Sequence, residues 1–333
     1  MKNYYDIIII GAGASGLTAG IVAKRDNPNL SVLILEKKLK PGIKLSMTGK
    51  GKCNIANTHC DGLEETITFL SSVGIQTIEK DEGRLYPEGK NATEVVKILE
   101  SHATKLGCEI VTNKAALSLD KTCGQSFIIG FENNKLVSAN KVLIATGGKS
   151  YPKCGTTGDG YVMARKLGHK VETLIPGLTG VETKEDTTVL HGIRAKGTVK
   201  LYKNDECIFE EAGEVQFSRG VISGIVVMNM SLYYRNDDAD YVMELDLEDG
   251  SKLGKVNYKL HPTGLRGWKE AQITCGGVSL NEVDHKTMES LIVSGLYFAG
   301  EVLDYQGPCG GYNLNNAWRT GIRAGHGLAK HDL

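Results

Sequence analysis

The sequence predicts an α/β fold: a doubly wound Rossmann-type domain built from two stretches of chain, with a β-rich second domain inserted between them. Three observations carry this reading. The chain opens on strand, glycine turn, helix, strand and acid in that order, and the same glycine-punctuated style returns near its end. Between them, from about 171 to 274, Thr, Val and charged residues alternate without strong helical periodicity. The expected division is 1–170 plus 275–333 for the first domain and 171–274 for the insert. A length of 333 residues, at ~100–200 residues per domain, accommodates both.

Tyr4 to Ile10 is a continuous Ile-rich apolar run, as in a strand buried on both faces of a parallel sheet. Gly11-Ala12-Gly13-Ala14-Ser15-Gly16 follows at once, and Leu17, Gly20 and Ile21 then recur at the spacing of one helix face. Ser31 to Leu35 reads as a second strand, ended by Glu36. From Lys37 to Cys60 the composition turns to Lys, Gly, Thr and Asn, which predicts a long functional loop. Val95, Ile98 and Leu99 mark a helix over 94–105, followed by a short strand at 109–111. The stretch 115–139, with Phe127 to Phe131, predicts an antiparallel meander. Lys141 to Ile144 returns to parallel-strand character and runs into Ala145-Thr146-Gly147-Gly148. A helix through Tyr161, Ala164 and Leu167 is expected after Gly158. At the far end a strand over 295–299 leads to Gly300-Glu301 and the glycine loop Gly307 to Gly311. The last helix carries Leu314, Ala317, Trp318, Gly321, Ile322 and Gly325 along one side.

Composition narrows the class. Lys plus Arg and Asp plus Glu are both 39, so the formal charge is zero, which counts against nucleic acid or an anionic membrane as partner. The eight cysteines are scattered, with no C-x-x-C and no zinc-like spacing, and read as reduced thiols of a cytoplasmic protein without a metal. The short N-terminal apolar run lacks the cleavage site of a signal peptide, and no run approaches the ~20 residues of a membrane span. The 41 glycines exceed the typical ~7%, which calls for tight turns or close backbone approach to a ligand.

Gly11, Gly13 and Gly16 hold the G-x-G-x-x-G positions, and Glu36 follows Gly16 by 20 residues. That spacing puts a carboxylate where it can accept from ribose hydroxyls, while the helix N-terminus faces a pyrophosphate. The bland reading is a glycine turn kept only for helix-to-strand packing. FAD and NAD both satisfy the fingerprint. Nucleotide-style segments here lie at the start, at 141–148 and at 295–313, and three such distant pieces suit FAD, the longer cofactor. Phe298-Ala299-Gly300-Glu301 resembles the segment that meets the ribityl phosphate in two-domain flavoproteins. The helix after Gly310-Gly311-Tyr312-Asn313 could aim its amides at the flavin pyrimidine. The residues expected to meet FAD are Gly11, Gly13, Ala14, Ser15, Gly16, Glu36, Lys37, Lys44, Thr48, Gly49, Gly51, Cys53, Asn54, Ala145, Thr146, Gly147, Gly300, Glu301, Gly311, Tyr312, Asn313 and Leu314.

Five segments sharpen this: Gly42 to Asn54 (GIKLSMTGKGKCN), Ala145 to Pro152 (ATGGKSYP), Gly155 to Gly160 (GTTGDG), Ala271 to Val278 (AQITCGGV) and Gly295 to Asn313 (GLYFAGEVLDYQGPCGGYN). In that order they resemble the bacterial FAD-dependent oxidoreductase family that includes the bile-acid dehydroxylation reductase and aminoacetone oxidase-like flavoproteins. The chain looks like a shortened member. The family's helical subdomain before AQ-x-T-x-GGV has only Met230 to Lys259 in its place, and 58–84 is also short. The missing helices would help roof the substrate cavity, so a more open active site is expected.

Lys44, Tyr151 and Tyr312 are the candidate catalytic groups: a lysine to stabilise anionic charge on the flavin, and two phenols as proton donors or substrate anchors. Lys50 and Lys52 share the lysine role or are simply solvated. Cys53 is a redox thiol or, without a C-x-x-C partner, a packed inert one. Cys309 suits a packing role, and Arg84, His191 and His261 are further possible contacts. The favoured activity is reduction of an electron-poor C=C or similar small organic acceptor, with NADH or NADPH docking transiently because no second nucleotide fingerprint is present. The rivals are an aminoketone oxidase using oxygen, a flavin-dependent tRNA-modifying enzyme, disfavoured by the zero charge, and a non-catalytic FAD-binding protein.

Overall fold

The computed structural model describes residues 1–123, 126–248 and 256–330. It divides into two compact units: Met1–Leu174 with Gly276–Tyr305 and Gly310–Leu333, and Ile175–Cys275 with Gln306–Cys309. The crossings lie at 174/175 and 275/276, where the sequence reading places them at 170/171 and 274/275. Val171 bridges to Val278 and the Glu172 N–H donates to the Gly277 carbonyl, which ties 171–174 to the first unit. Gln306–Cys309 joins the second unit, where the Cys309 N–H donates to Asn229 Oδ1 at 2.8 Å.

The first unit starts with β1 (Tyr4–Ile10), α1 (Ala14–Asp26) and β2 (Val32–Leu35). The expected loop 37–60 is not featureless. It holds α2 (Ile43–Met47), a 3-10 turn over Thr48–Gly51 and β3 (Ala56–Asn57). Its low apolar content hides elements of two to five residues, too short for a period to register. Then come α3 (Leu63–Ser72), β4 (Thr77–Glu79) and β5 (Arg84–Pro87), with β3, β5 and β4 forming a small antiparallel sheet. Next is α4 (Ala92–Lys105), whose Asn91 and Glu94 make a reciprocal capping box. β6 (Cys108–Val111), β7 (Ser118–Lys121), β8 (Phe127–Gly130), β9 (Leu136–Ile144) and α5 (Asp159–Lys166) complete this arm. The meander is part of the main sheet: β9 is one long strand, antiparallel to β8 in its first half and parallel to β1 along most of its length.

The second unit is β10 (Ile175–Gly177), β11 (Val181–Thr183), β12 (Arg194–Lys203), β13 (Glu206–Ser218), β14 (Val221–Ser223), α6 (Ile225–Met230), β15 (Tyr241–Leu247), β16 (Val256–Leu260), β17 (Pro262–Leu265) and β18 (Ile273–Cys275). Seven strands pair antiparallel in the order β16-β15-β12-β13-β14-β11-β17, and β10 pairs with β18. Its core gathers Val199, Leu201, Phe217, Met243 and Leu245.

The chain returns to the first unit with β19 (Leu296–Phe298) and α7 (Tyr312–Ala329). β19 runs parallel to the second half of β9, so the parallel strands stand in the order β6-β2-β1-β9-β19, the doubly wound arrangement. α7 lies so close to α1 that a Cβ at Gly321 would come 2.6 Å from the Ser15 carbonyl oxygen. No described helix is long and apolar enough to cross a membrane.

Candidate functional site

The predicted residues converge first at the carboxyl ends of the parallel strands. The Gly11 N–H donates to the Leu35 carbonyl (2.8 Å) and the Ala145 N–H to the Ile10 carbonyl (2.9 Å), so the ends of β2, β1 and β9 are tied edge to edge. Gly16 passes Gly11 with no room for a side chain: a Cβ there would sit 1.9 Å from the Gly11 oxygen. Gly13, the cap residue of α1, is the opposite case, since a Cβ built on it meets nothing within 4 Å. No side chain caps α1 and no acid lies in its first turn, so its amides and positive end face that open space. Ala14 begins this turn; Ser15 sends its hydroxyl to the Ala299 carbonyl at 3.3 Å, which brings Gly300 into the same cluster. Thr146 donates to the Gly147 carbonyl beside it.

Glu36 closes β2. Its Oε1 accepts from the Lys38 N–H (2.8 Å) and its Oε2 from the Ala12 N–H (3.3 Å). Burial lifts this carboxyl above its ordinary value, and the two backbone donors pull it partly back. Lys37 beside it turns to Asp159 and Thr157, each at 2.5 Å.

A second group brings Lys44, Ser150 and Glu301 together from three distant segments. Lys44 Nζ donates to Glu301 Oε2 (2.5 Å) and Ser150 Oγ (2.6 Å), and Ser150 Oγ donates to Glu301 Oε1 (2.8 Å). Tyr161 Oη reaches the Glu301 carbonyl at 3.1 Å. The lysine charge is thus directed at a carboxylate, which in turn is fixed in one orientation. Ser150 escaped the sequence reading because a serine in a glycine-rich loop carries no signal of its own.

The 48–54 turn is wound tightly, with Gly49, Lys50, Gly51 and Cys53 all in the left-handed region. Thr48 donates its hydroxyl to the Leu45 carbonyl, and its carbonyl accepts the Cys53 N–H. Cys53 is fully buried, and burial pushes its thiol up to about 12, so it is a packed thiol rather than a reactive thiolate. Asn54 Oδ1 is buried and has no hydrogen-bond partner among the described residues.

The last piece is the start of α7. Gly311, at φ +106, caps the helix with its Cα against the backbone of Ala56, whose oxygen would lie 2.3 Å from a Cβ. Asn57 Nδ2 donates to the Gly310 carbonyl at 3.3 Å. Tyr312, Asn313 and Leu314 form the first turn, which again has no acid and no side-chain cap. Burial raises the Tyr312 phenol, so it is a protonated donor at neutral pH. Tyr151 has φ +53, a strained conformation for an aromatic residue.

Arg84 pairs with Glu82 and stands beside Gly310, on β5 opposite Asn57 of β3, so it belongs to the α7 end of the site. The other candidates fall elsewhere: His261 pairs with Glu185 at 2.6 Å and His191 is exposed, both in the insert. Cys309 packs against the small cluster of Leu178, Ile273 and Cys275. An extended dinucleotide fits what remains. Gly13 leaves space at a helix N-terminus, Asn54 Oδ1 lacks a partner among the described residues, and neither α1 nor α7 has a side-chain cap at its N-terminus.

Comparison with known proteins agrees with this geometry. The family described as HI0933-like protein Rossmann domain matches residues 62–327, and the Thi4 family matches 2–119. The chain is 29% identical to the 3-dehydro-bile acid delta(4,6)-reductase of Clostridium scindens, covering 97% of this chain and 98% of that protein. It is also 29% identical to the ribosomal RNA dihydrouridine synthase of Haemophilus influenzae, covering 96% and 97%. The first alignment runs over 405 positions, more than the 333 residues of this chain, so the relative has internal segments without a counterpart here. Among solved structures, the 3-ketosteroid-delta4-(5alpha)-dehydrogenase from Rhodococcus jostii RHA1 shares the fold, with a TM-score of 0.57, 14% identity and coverage of 99% of this chain and 98% of that one.

Proposed function

The chain is a member of the HI0933-like protein Rossmann domain family, the FAD-dependent oxidoreductases whose motifs it carries, and on that premise we propose that it uses FAD to reduce an electron-poor C=C conjugated to a carbonyl. One observation carries the choice of reaction. Two relatives matched over nearly their whole length are named for saturating a ring C=C beside a carbonyl, in a 3-dehydro bile acid and in uridine. FAD, when bound, supplies a carrier that accepts two electrons from NADH or NADPH and passes them on as hydride.

The chain's own residues have the following parts. The α1 amides at Gly13 to Ser15 hold the pyrophosphate, and Glu36 accepts from the adenosine ribose. Glu301, oriented by Lys44 and Ser150, accepts from the ribityl chain, and Asn54 Oδ1 accepts from a donor of the cofactor. The α7 amides at Tyr312 and Asn313 stabilise negative charge on the pyrimidine edge. The purified protein should be yellow, should bleach anaerobically with NADH or NADPH, and should recover its colour on adding a conjugated enone. Reoxidation by oxygen with a small amine as reductant, and none by enones, would replace this reading with the oxidase one.

A second reading is that the reduced ring is a uracil within RNA, rather than in a free small molecule. It is favoured by Lys37 to Lys52, a segment with six lysines and no acid, of which Lys37 and Lys44 are paired with Asp159 and Glu301 and the other four carry the local positive charge. A uridine-containing RNA that reoxidises the flavin, with affinity falling steeply as salt rises, would decide for it.

A further inference from the structure

Three residues of α7, Tyr312, Asn315 and Arg319, lie one and two turns apart and so share one helix face. The loop Asn57–Gly62 packs on that face: the Cys60 N–H donates to the Asn57 carbonyl (3.0 Å), and Asn315 Nδ2 donates to the Asp61 carbonyl (3.2 Å). Gly62 lies against the Arg319 guanidinium, where a Cβ would come 2.3 Å from Nε and 2.4 Å from Cζ. Only the absence of a side chain lets the planar group settle there.

The guanidinium is poorly matched by its own protein. Arg319 Nε is buried without an acceptor among the described residues. Its ion-pair contact, Nη2 to Glu65 Oε1, is long at 3.7 Å, and the same carboxylate oxygen is taken at 2.7 Å by Arg323. A buried cationic donor left unmet is costly unless a ligand completes it. Burial raises the Tyr305 and Tyr312 phenols, and the Arg319 charge acts on Tyr305 in the opposite sense.

We propose that Arg319 binds the substrate oxygen conjugated to the double bond, which makes the substrates carbonyl or carboxylate compounds whose oxygen becomes anionic during reduction. This rests on the reductase reading above and deepens it. When hydride from the reduced flavin adds to the β-carbon, the C=C pair moves toward the carbonyl and its electrons come to rest on oxygen as an enolate. Arg319 holds that charge with a planar, permanently protonated fork. The α-carbon then takes a proton from solvent. The substrate has gained one hydride and one proton, and the flavin has returned its two electrons.

The test uses the full-length protein with its flavin and two anions that imitate the enolate oxygen, benzoate and 4-nitrophenolate. Calorimetry reads binding whether or not flavin is present, and flavin absorbance reads closeness to the ring. Arg319→Gln should weaken both anions by about tenfold or more, Arg319→Lys should recover part of this, and Arg165→Gln, at an exposed arginine of α5 in the same unit, should leave binding unchanged. Equal binding by Arg319→Gln and wild type, or an equal loss in Arg165→Gln, overturns the proposal. A flavin-loaded protein that turns over enones but binds neither anion overturns it too, with the reductase reading intact. Arg319-dependent anion binding without any enone reduction instead keeps the anion site and removes that reading.

Discussion

The two units bury their strands in different ways, and the difference locates function. In the parallel sheet all four residues of β2 are buried, as are Ile7 to Ile10 of β1. In the insert the strands alternate: Tyr241, Met243, Leu245 and Leu247 of β15 point inward, and the residues between them reach or approach solvent. A strand covered on both faces has no side chain free to meet a ligand, so chemistry is confined to the loops at its carboxyl end. A half-solvated sheet carries its polar groups along its length, and here they form surface pairs such as Lys259 with Glu244 at 2.9 Å.

The sharpest way to break this contrast is Gly16→Ala. A methyl group 1.9 Å from the Gly11 oxygen must push the β1–α1 turn apart, with a cost at the upper end of the ~1–3 kcal/mol typical of overpacking. A lowered urea midpoint and loss of yellow colour on purification should accompany it. Gly13→Ala separates packing from binding, because its Cβ meets no protein atom. The unfolding free energy from urea titration should hold within about 0.5 kcal/mol while FAD affinity, read by fluorescence titration, falls about tenfold, or ~1.4 kcal/mol. A variant that binds FAD normally would remove the pyrophosphate from this turn.

A third outcome concerns acid. His169 is buried in the first unit, with Nδ1 at 3.0 Å from Glu282 and Nε2 at 2.8 Å from Ser290 Oγ, which also accepts the Ile292 and Val293 amides. Burial holds the imidazole below its ordinary value despite Glu282. The unfolded chain therefore binds the proton more readily than the folded one. Stability should be full above the unfolded value of ~6.5 and fall as pH drops below it, by at most ~1.4 kcal/mol per pH unit. Urea midpoints from pH 7.5 to pH 5.5 should show a flatter profile for His169→Gln; an unchanged slope would remove this histidine from the acid response. The smallest effect belongs to the insert. Lys259→Ala, at an exposed pair, should leave the urea midpoint nearly unchanged, and a clear drop would mean that the insert depends on its surface charges.

Much of the parallel unit was legible before the structure because its signals are local. The Ile run of β1, the glycine spacing and Glu36 lie within one βαβ unit, and the apolar face of α4 repeats at the helix period. The 37–60 segment reads in sequence as a long functional loop because its elements are too short to show a period, and α3 is not among the helices that the sequence predicts. Cys53 stayed ambiguous in sequence, since burial, which settles its thiol as inert, is a tertiary quantity.

By itself, the sequence determined where the backbone must turn tightly and which strands carry the turns, because φ requirements and hydrophobic periods act over a few residues. Only the tertiary structure decided which side chains meet. Lys44 finds Ser150 across 106 residues and Glu301 across 257, and Arg319 lies on Gly62 with its Nε unmet among the described residues. Such partners are chosen by the packing of whole elements, so no local pattern records them.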